Sequence, residues 1–122
     1  MNIKNSINSI TVIGVLAFTY LGQAKAVEVR FVTHQNTTIG YSVRGKSPLV
    51  VLIASTGHGT SEFSPLADRL AERGYRVALP EPRGIGEYHG PMNGVSFHDF
   101  AQDFSAVIAA EGGSAIVAGH AY

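Results

Sequence analysis

The stretch Ala115-Ile116-Val117-Ala118-Gly119-His120-Ala121-Tyr122 decides how the chain is read. Its first four residues are small or branched, apolar and uncharged, which predicts a short strand buried on both faces. Gly119 and the residues after it predict a tight turn at that strand's carboxyl end. Such a strand needs a sheet around it, and the upstream sequence supplies the neighbours.

Leu49-Val50-Val51-Leu52-Ile53-Ala54 is an uninterrupted β-rich apolar run of the kind a central parallel strand needs, because helices cover both its faces. Ser55-Thr56-Gly57-His58-Gly59-Thr60 follows as a small-residue loop at the carboxyl end, where open α/β sheets hold ligands. Ser64 reads as an N-cap and Pro65 as the first helical residue, with Leu66, Ala67 and Leu70 on one apolar face until Gly74 stops the helix. Tyr75 to Pro80 predicts the next strand. Ser96 and Asp99 have the spacing of a capping box, and Phe97, Phe100, Phe104, Val107 and Ile108 share a helical face that ends at Gly112-Gly113. The order strand, helix, strand, helix, strand, joined by right-handed crossovers, predicts an α/β fold with a doubly wound, mostly parallel sheet.

Before this core, Val27, Val29 and Phe31 alternate with Glu28 and Arg30, and Ile39, Tyr41 and Val43 repeat the period after the turn-like His34-Gln35-Asn36. The pattern predicts two paired, half-buried strands. Earlier still, Lys4, the twelve-residue apolar run Ile10 to Leu21 and Ala24-Lys25-Ala26 have the order of a secretory signal with a small-x-small cleavage site. The run is shorter than the roughly 20 residues a bilayer span needs. Residues 1–26 are therefore expected to be a signal peptide and 27–122 the exported part. No cysteine at the junction offers a lipid attachment point, so a periplasmic or secreted location is expected, without a membrane anchor after cleavage.

Composition narrows the chemistry. Nine acidic and nine basic residues among 122 leave no net charge to draw the chain to nucleic acid. Within these 122 residues the absence of cysteine excludes a disulfide framework, a thiolate metal site and a cysteine nucleophile. His34, His58, His89, His98 and His120 never take the paired spacing of a zinc helix. The runs Gly57-x-Gly59-x-x-Glu62 and Gly84-x-Gly86-x-x-His89 both miss the third glycine of a dinucleotide fingerprint. No metal and no cofactor are expected, and a small-molecule substrate or ligand is the expected partner.

Three segments, in order and at matching spacing, carry a family resemblance: Phe63 to Val77 (FSPLADRLAERGYRV), Pro80 to Gly86 (PEPRGIG) and Gly119 to Tyr122. With the strand from Leu49, they resemble the N-terminal half of the α/β-hydrolase superfamily. The resemblance implies that the Val27–Val43 strands form the antiparallel hairpin with which such folds begin. It implies further that Gly119 opens the nucleophile elbow, a G-x-S-x-G turn that lifts a serine above the sheet, with His120 as the variable residue and Ala121 in the serine's place. Arg83 in the second segment is expected to bond backbone carbonyls.

Relatives of this kind imply hydrolysis of small ester-like substrates, yet Ala121 has no side-chain atom able to attack a carbonyl. Three readings stand. Other groups act, with Ser55 or Thr56 as hydroxyl and His58 or His120 as base; or the site binds a ligand without chemistry; or the chain is a degenerate relative with neither role. In the first two, Thr56, Gly57, Gly59 and Tyr122 are expected at the substrate. Domains of this kind commonly need about 200 residues or more, so the chain is expected to be the front part of one roughly twice as long.

Overall fold

The computed structural model describes residues 26–55, 57–83, 90 and 93–120. The signal-peptide reading falls, except for Ala26, on residues outside this set, as do Thr56, Ala121 and Tyr122. The elements are β1 (Glu28–His34), β2 (Thr37–Arg44), β3 (Leu49–Ile53), a 3-10 turn (Thr60–Phe63), α1 (Ser64–Glu72), β4 (Arg76–Pro80), α2 (Phe97–Ala110) and β5 (Ile116–Gly119). Among the described residues no helix is long and apolar enough to cross a membrane.

The five strands form one sheet in the order β1-β2-β4-β3-β5. β3 runs parallel to both β4 and β5, while β1 with β2 and β2 with β4 are antiparallel. The hairpin thus sits at one edge of a parallel unit. Each face of β3 feeds a different core, because strand side chains alternate. Leu49 and Val51 join Ile39, Tyr41, Val43, Ala78 and Val107 beneath α2, whereas Val50 and Leu52 join Ala67, Val77 and Leu79 beneath α1. One helix on each face is the doubly wound arrangement.

Local signals hold where they are local. The Ser96 hydroxyl accepts from the Asp99 N–H and the Asp99 carboxylate accepts from the Ser96 N–H, completing the capping box of α2. Those Ser96 bonds, the backbone N–H foremost, hold the Asp99 carboxyl below the usual carboxylate range. Ser64, by contrast, caps nothing with its side chain. The 3-10 turn runs straight into α1, with Phe63 at the N-cap, so the helical path is already established upstream. On α1 Ala67 and Ala71 are buried and Leu70 packs against the same core, while Leu66 is exposed.

Two strand faces differ from expectation. In β1, Val29 and Phe31 are 62% and 55% exposed, while Arg30, Val32 and His34 turn inward. The cause lies at the far end of α2, where the buried Glu111 carboxylate accepts from Arg30 Nη1 at 2.8 Å, Arg76 Nη1 at 3.0 Å and the Tyr41 hydroxyl at 2.7 Å. A buried carboxylate needs such partners, so it draws the Arg30 face of β1 inward. β5 is the other case: it pairs with β3 on one side and is exposed along its length, Ile116 and Val117 by 56% and 50%. Ile53, Phe97, Phe100, Phe104, Ile108 and Val117 line an open apolar groove of about 350 Å³ between α2 and this strand.

Candidate active site

The carboxyl ends of β3 and β5 lie side by side because their parallel register sets Ile53 opposite Gly119. The next residues continue the contact, with the His120 N–H donating to the Ile53 carbonyl at 3.4 Å. Ser55, two residues past β3, therefore faces His120, directly past β5. Its hydroxyl donates to the His120 carbonyl at 2.8 Å and stands 3.3 Å from His120 Nδ1. Ser55 is 9% exposed and His120 is open to solvent. A hydroxyl beside an imidazole is the minimum for proton transfer from a nucleophile to a base, and a rotation of the hydroxyl moves its hydrogen from the carbonyl to Nδ1.

The loop after Ser55 turns at once. The His58 N–H donates to the Ser55 carbonyl at 3.0 Å, and the turn is closed through Gly57, whose φ of +80° favours glycine. The His58 imidazole is exposed and makes no hydrogen bond to the described residues, so of the two expected bases only His120 reaches Ser55. Gly59 is extended and opens the 3-10 turn.

Three groups not expected from sequence join this edge. Glu62, on the 3-10 turn, accepts from the Ser55 N–H through Oε1 at 3.3 Å. Thr60, buried, donates its hydroxyl to Glu81 Oε1 at 2.6 Å just beyond β4. Glu81 Oε2 is buried without a hydrogen-bond partner among the described residues. A carboxylate between two prolines at a strand's carboxyl end was the available signal for Glu81; nothing local pointed to Glu62. Arg83, for its part, grips a carboxylate rather than only backbone carbonyls: Nε and Nη2 donate to Asp103 Oδ2 and Oδ1 at 2.9 and 3.1 Å. Both side chains are nearly fully buried, so this bidentate pair fastens the segment after β4 to α2. Among the described residues no cluster of three or more His, Asp or Glu could hold a metal.

With strand order, crossovers and the carboxyl-edge site in place, comparison with solved structures gives the class: this is the N-terminal portion of the α/β-hydrolase fold. The chain is similar to an epoxide hydrolase from an endophytic Streptomyces at 28% identity and a TM-score of 0.73, covering 79% of this chain and 30% of that one. It is also similar to epoxide hydrolase VrEH1 from Vigna radiata (23% identity, TM-score 0.71, 77% of this chain and 32% of that one). The thioesterase domain from the curacin biosynthetic pathway matches at 24% identity and a TM-score of 0.70, covering 78% and 35%. The chain spans about a third of the length of these structures. No protein-family model and no curated protein matches it.

Proposed function

We propose that the whole protein is a hydrolase of small ester-like molecules in which Ser55 serves as nucleophile and His120 as base. One observation carries the reading: the Ser55 hydroxyl lies 3.3 Å from His120 Nδ1 at the carboxyl edge of two adjacent parallel strands. In that step Ser55 Oγ bonds to the substrate carbonyl carbon, its proton passes to Nδ1, and the protonated imidazole returns it to the departing alcohol. Similarity to structures named as epoxide hydrolases and a thioesterase domain supports hydrolytic chemistry on small molecules. We propose further that the protein works outside the cytoplasm, the order of residues 1–26 being the support; intact mass of the product should then begin at Val27.

A second reading, ligand binding without turnover, is favoured by the shorter 2.8 Å bond that commits the Ser55 hydrogen to the His120 carbonyl. A panel of activated esters run on the whole protein separates the two. Under the catalytic reading Ser55→Ala and His120→Gln each lower kcat by about 10³-fold with the fold intact. Turnover untouched by Ser55→Ala discards Ser55 as nucleophile, and saturable binding without turnover establishes the second reading.

A further inference from the structure

Among the described residues no strand lies beyond β1, which ends the sheet on the side away from β5. Val29 and Phe31 on its outer face, with Val27 just ahead of it, are 62%, 55% and 41% exposed. Across the hairpin Phe31 lies opposite Gly40 and Val29 opposite Ser42, so no apolar side chain of β2 stands directly opposite either. An edge with unpaired backbone and an exposed apolar row is a template for a further strand.

The hairpin fixes which backbone groups are unpaired. His34 pairs with Thr37 across the two-residue turn Gln35-Asn36, and such a closing pair exchanges both of its N–H and C=O groups. Alternation from there directs the N–H and C=O of Glu28, Arg30 and Val32 to β2, and those of Val29, Phe31 and Thr33 away from it. The outward backbone groups thus belong to the residues whose side chains are exposed.

About Val29 the sequence Val27-Glu28-Val29-Arg30-Phe31 is balanced, apolar at 27, 29 and 31 and opposite in charge at 28 and 30. Two copies paired antiparallel about a two-fold axis at Val29 would set Val29 against Val29, Val27 against Phe31, and Glu28 against Arg30 twice. The charged pairs then fall at positions without backbone bonds, where side chains approach most closely. Neighbouring registers are worse. An axis at residue 28 or 30 sets Glu28 against Glu28 or Arg30 against Arg30, and like charges directly opposite are destabilising. An axis at Phe31 sets Arg30 against Val32 and forgoes both ion pairs. An axis between residues opposes outward backbone groups to inward ones and loses the ladder.

We propose that β1 is a self-association edge, at which a second copy of this chain adds its own β1 antiparallel about Val29, so that one sheet runs through both subunits. Both charged side chains are placed for it. The Glu28 side chain is 63% exposed, and Arg30 is held from behind by Glu111 while its Nε and Nη2 reach toward Glu28. The edge lies across the sheet from Ser55 and His120, and the pairing does not rest on the function proposed for them.

Sedimentation velocity of the whole protein from about 1 to about 200 µM tests it, a single strand pair being a small interface with an expected Kd on the order of 10 µM. Val29→Lys brings two ammonium groups together at the axis, and Glu28→Arg sets like charges opposite at both flanking positions. Both side chains are exposed, so far-UV circular dichroism should hold while each change weakens the dimer about tenfold or more. Val29→Cys reads the register. Its Cα would lie about 5.5 Å from its copy, within disulfide reach, whereas Thr33→Cys would lie about 27 Å from its own. Under mild oxidation Val29→Cys should give a covalent dimer that neither Thr33→Cys nor the unmodified protein gives. A monomer throughout the range, a dimer unmoved by both charge variants, or Thr33→Cys linking as readily as Val29→Cys overturns the proposal.

Discussion

Glu111 shows how one side chain can organise its surroundings. Burial by itself pushes its carboxyl up, but the Tyr41 hydroxyl and the Arg30 and Arg76 guanidiniums outweigh that and hold it below the usual glutamate value of 4.5. A carboxylate depressed in the folded state contributes stability that is complete above its unfolded value and is lost as pH falls through the folded one. Acid unfolding should therefore steepen below pH 4.5. Tyr41 works at the other end of the scale: burial and the Glu111 charge push its hydroxyl from 10 up to about 12, so stability present below pH 10 is lost as pH rises toward 12. Denaturant melts across pH check both slopes, and Glu111→Gln should flatten them while lowering stability by about 3 kcal/mol. Gly45 is a second decisive residue. Its φ is +83°, and a Cβ there would fall onto the Tyr75 carbonyl oxygen, so Gly45→Ala should cost about 3 kcal/mol or more in the same assay.

At the scale of an element, β1 makes the sharpest contrast between pattern and placement. Because Phe31 faces outward, Phe31→Ser should change stability by less than about 0.5 kcal/mol, whereas Val107→Ala in α2 should cost about 2 kcal/mol by opening the core under β2 and β3. A pair of denaturation curves decides whether the faces are assigned correctly. Alternation in 27–31 was enough to predict a strand but not which side goes in, because the deciding contact, Arg30 with Glu111, joins residues far apart in sequence. The run Leu49–Ile53 and the box Ser96–Asp99 were legible because their causes lie within a few residues. For β5, the apolar run reads as in a sheet's centre, while among the described residues only β3 lies beside it. The same logic governs the site: Ser55 and His120 could each be placed at a strand's end, and their adjacency needed β5 to lie beside β3. Glu62 and Glu81 were missed because hydrogen bonds to a particular N–H and hydroxyl leave no periodic trace.

For the molecule as a whole, the two ends of the parallel strands differ, a hydroxyl and an imidazole at the carboxyl end and a mix of paired arginines and carboxylates at the amino end. Between the hairpin and the parallel strands stands β4, the one described strand that touches both β2 and β3. That position has a kinetic consequence. β1 and β2 can zip locally, and β3 can pair with β5, but the hairpin cannot join β3 except through Arg76–Pro80. Docking of β4 should thus be the rate-limiting event in refolding, since nonlocal strand pairing must close a loop before it is rewarded. Val77→Ala, buried in the middle of that docking surface, is expected to slow refolding in proportion to its loss of stability. Destabilising changes at Val32, packed against the core from the peripheral strand β1, are expected to act on the unfolding rate alone. Stopped-flow chevrons of the two variants check this, and an unchanged folding limb in Val77→Ala would show that the sheet is assembled in some other order.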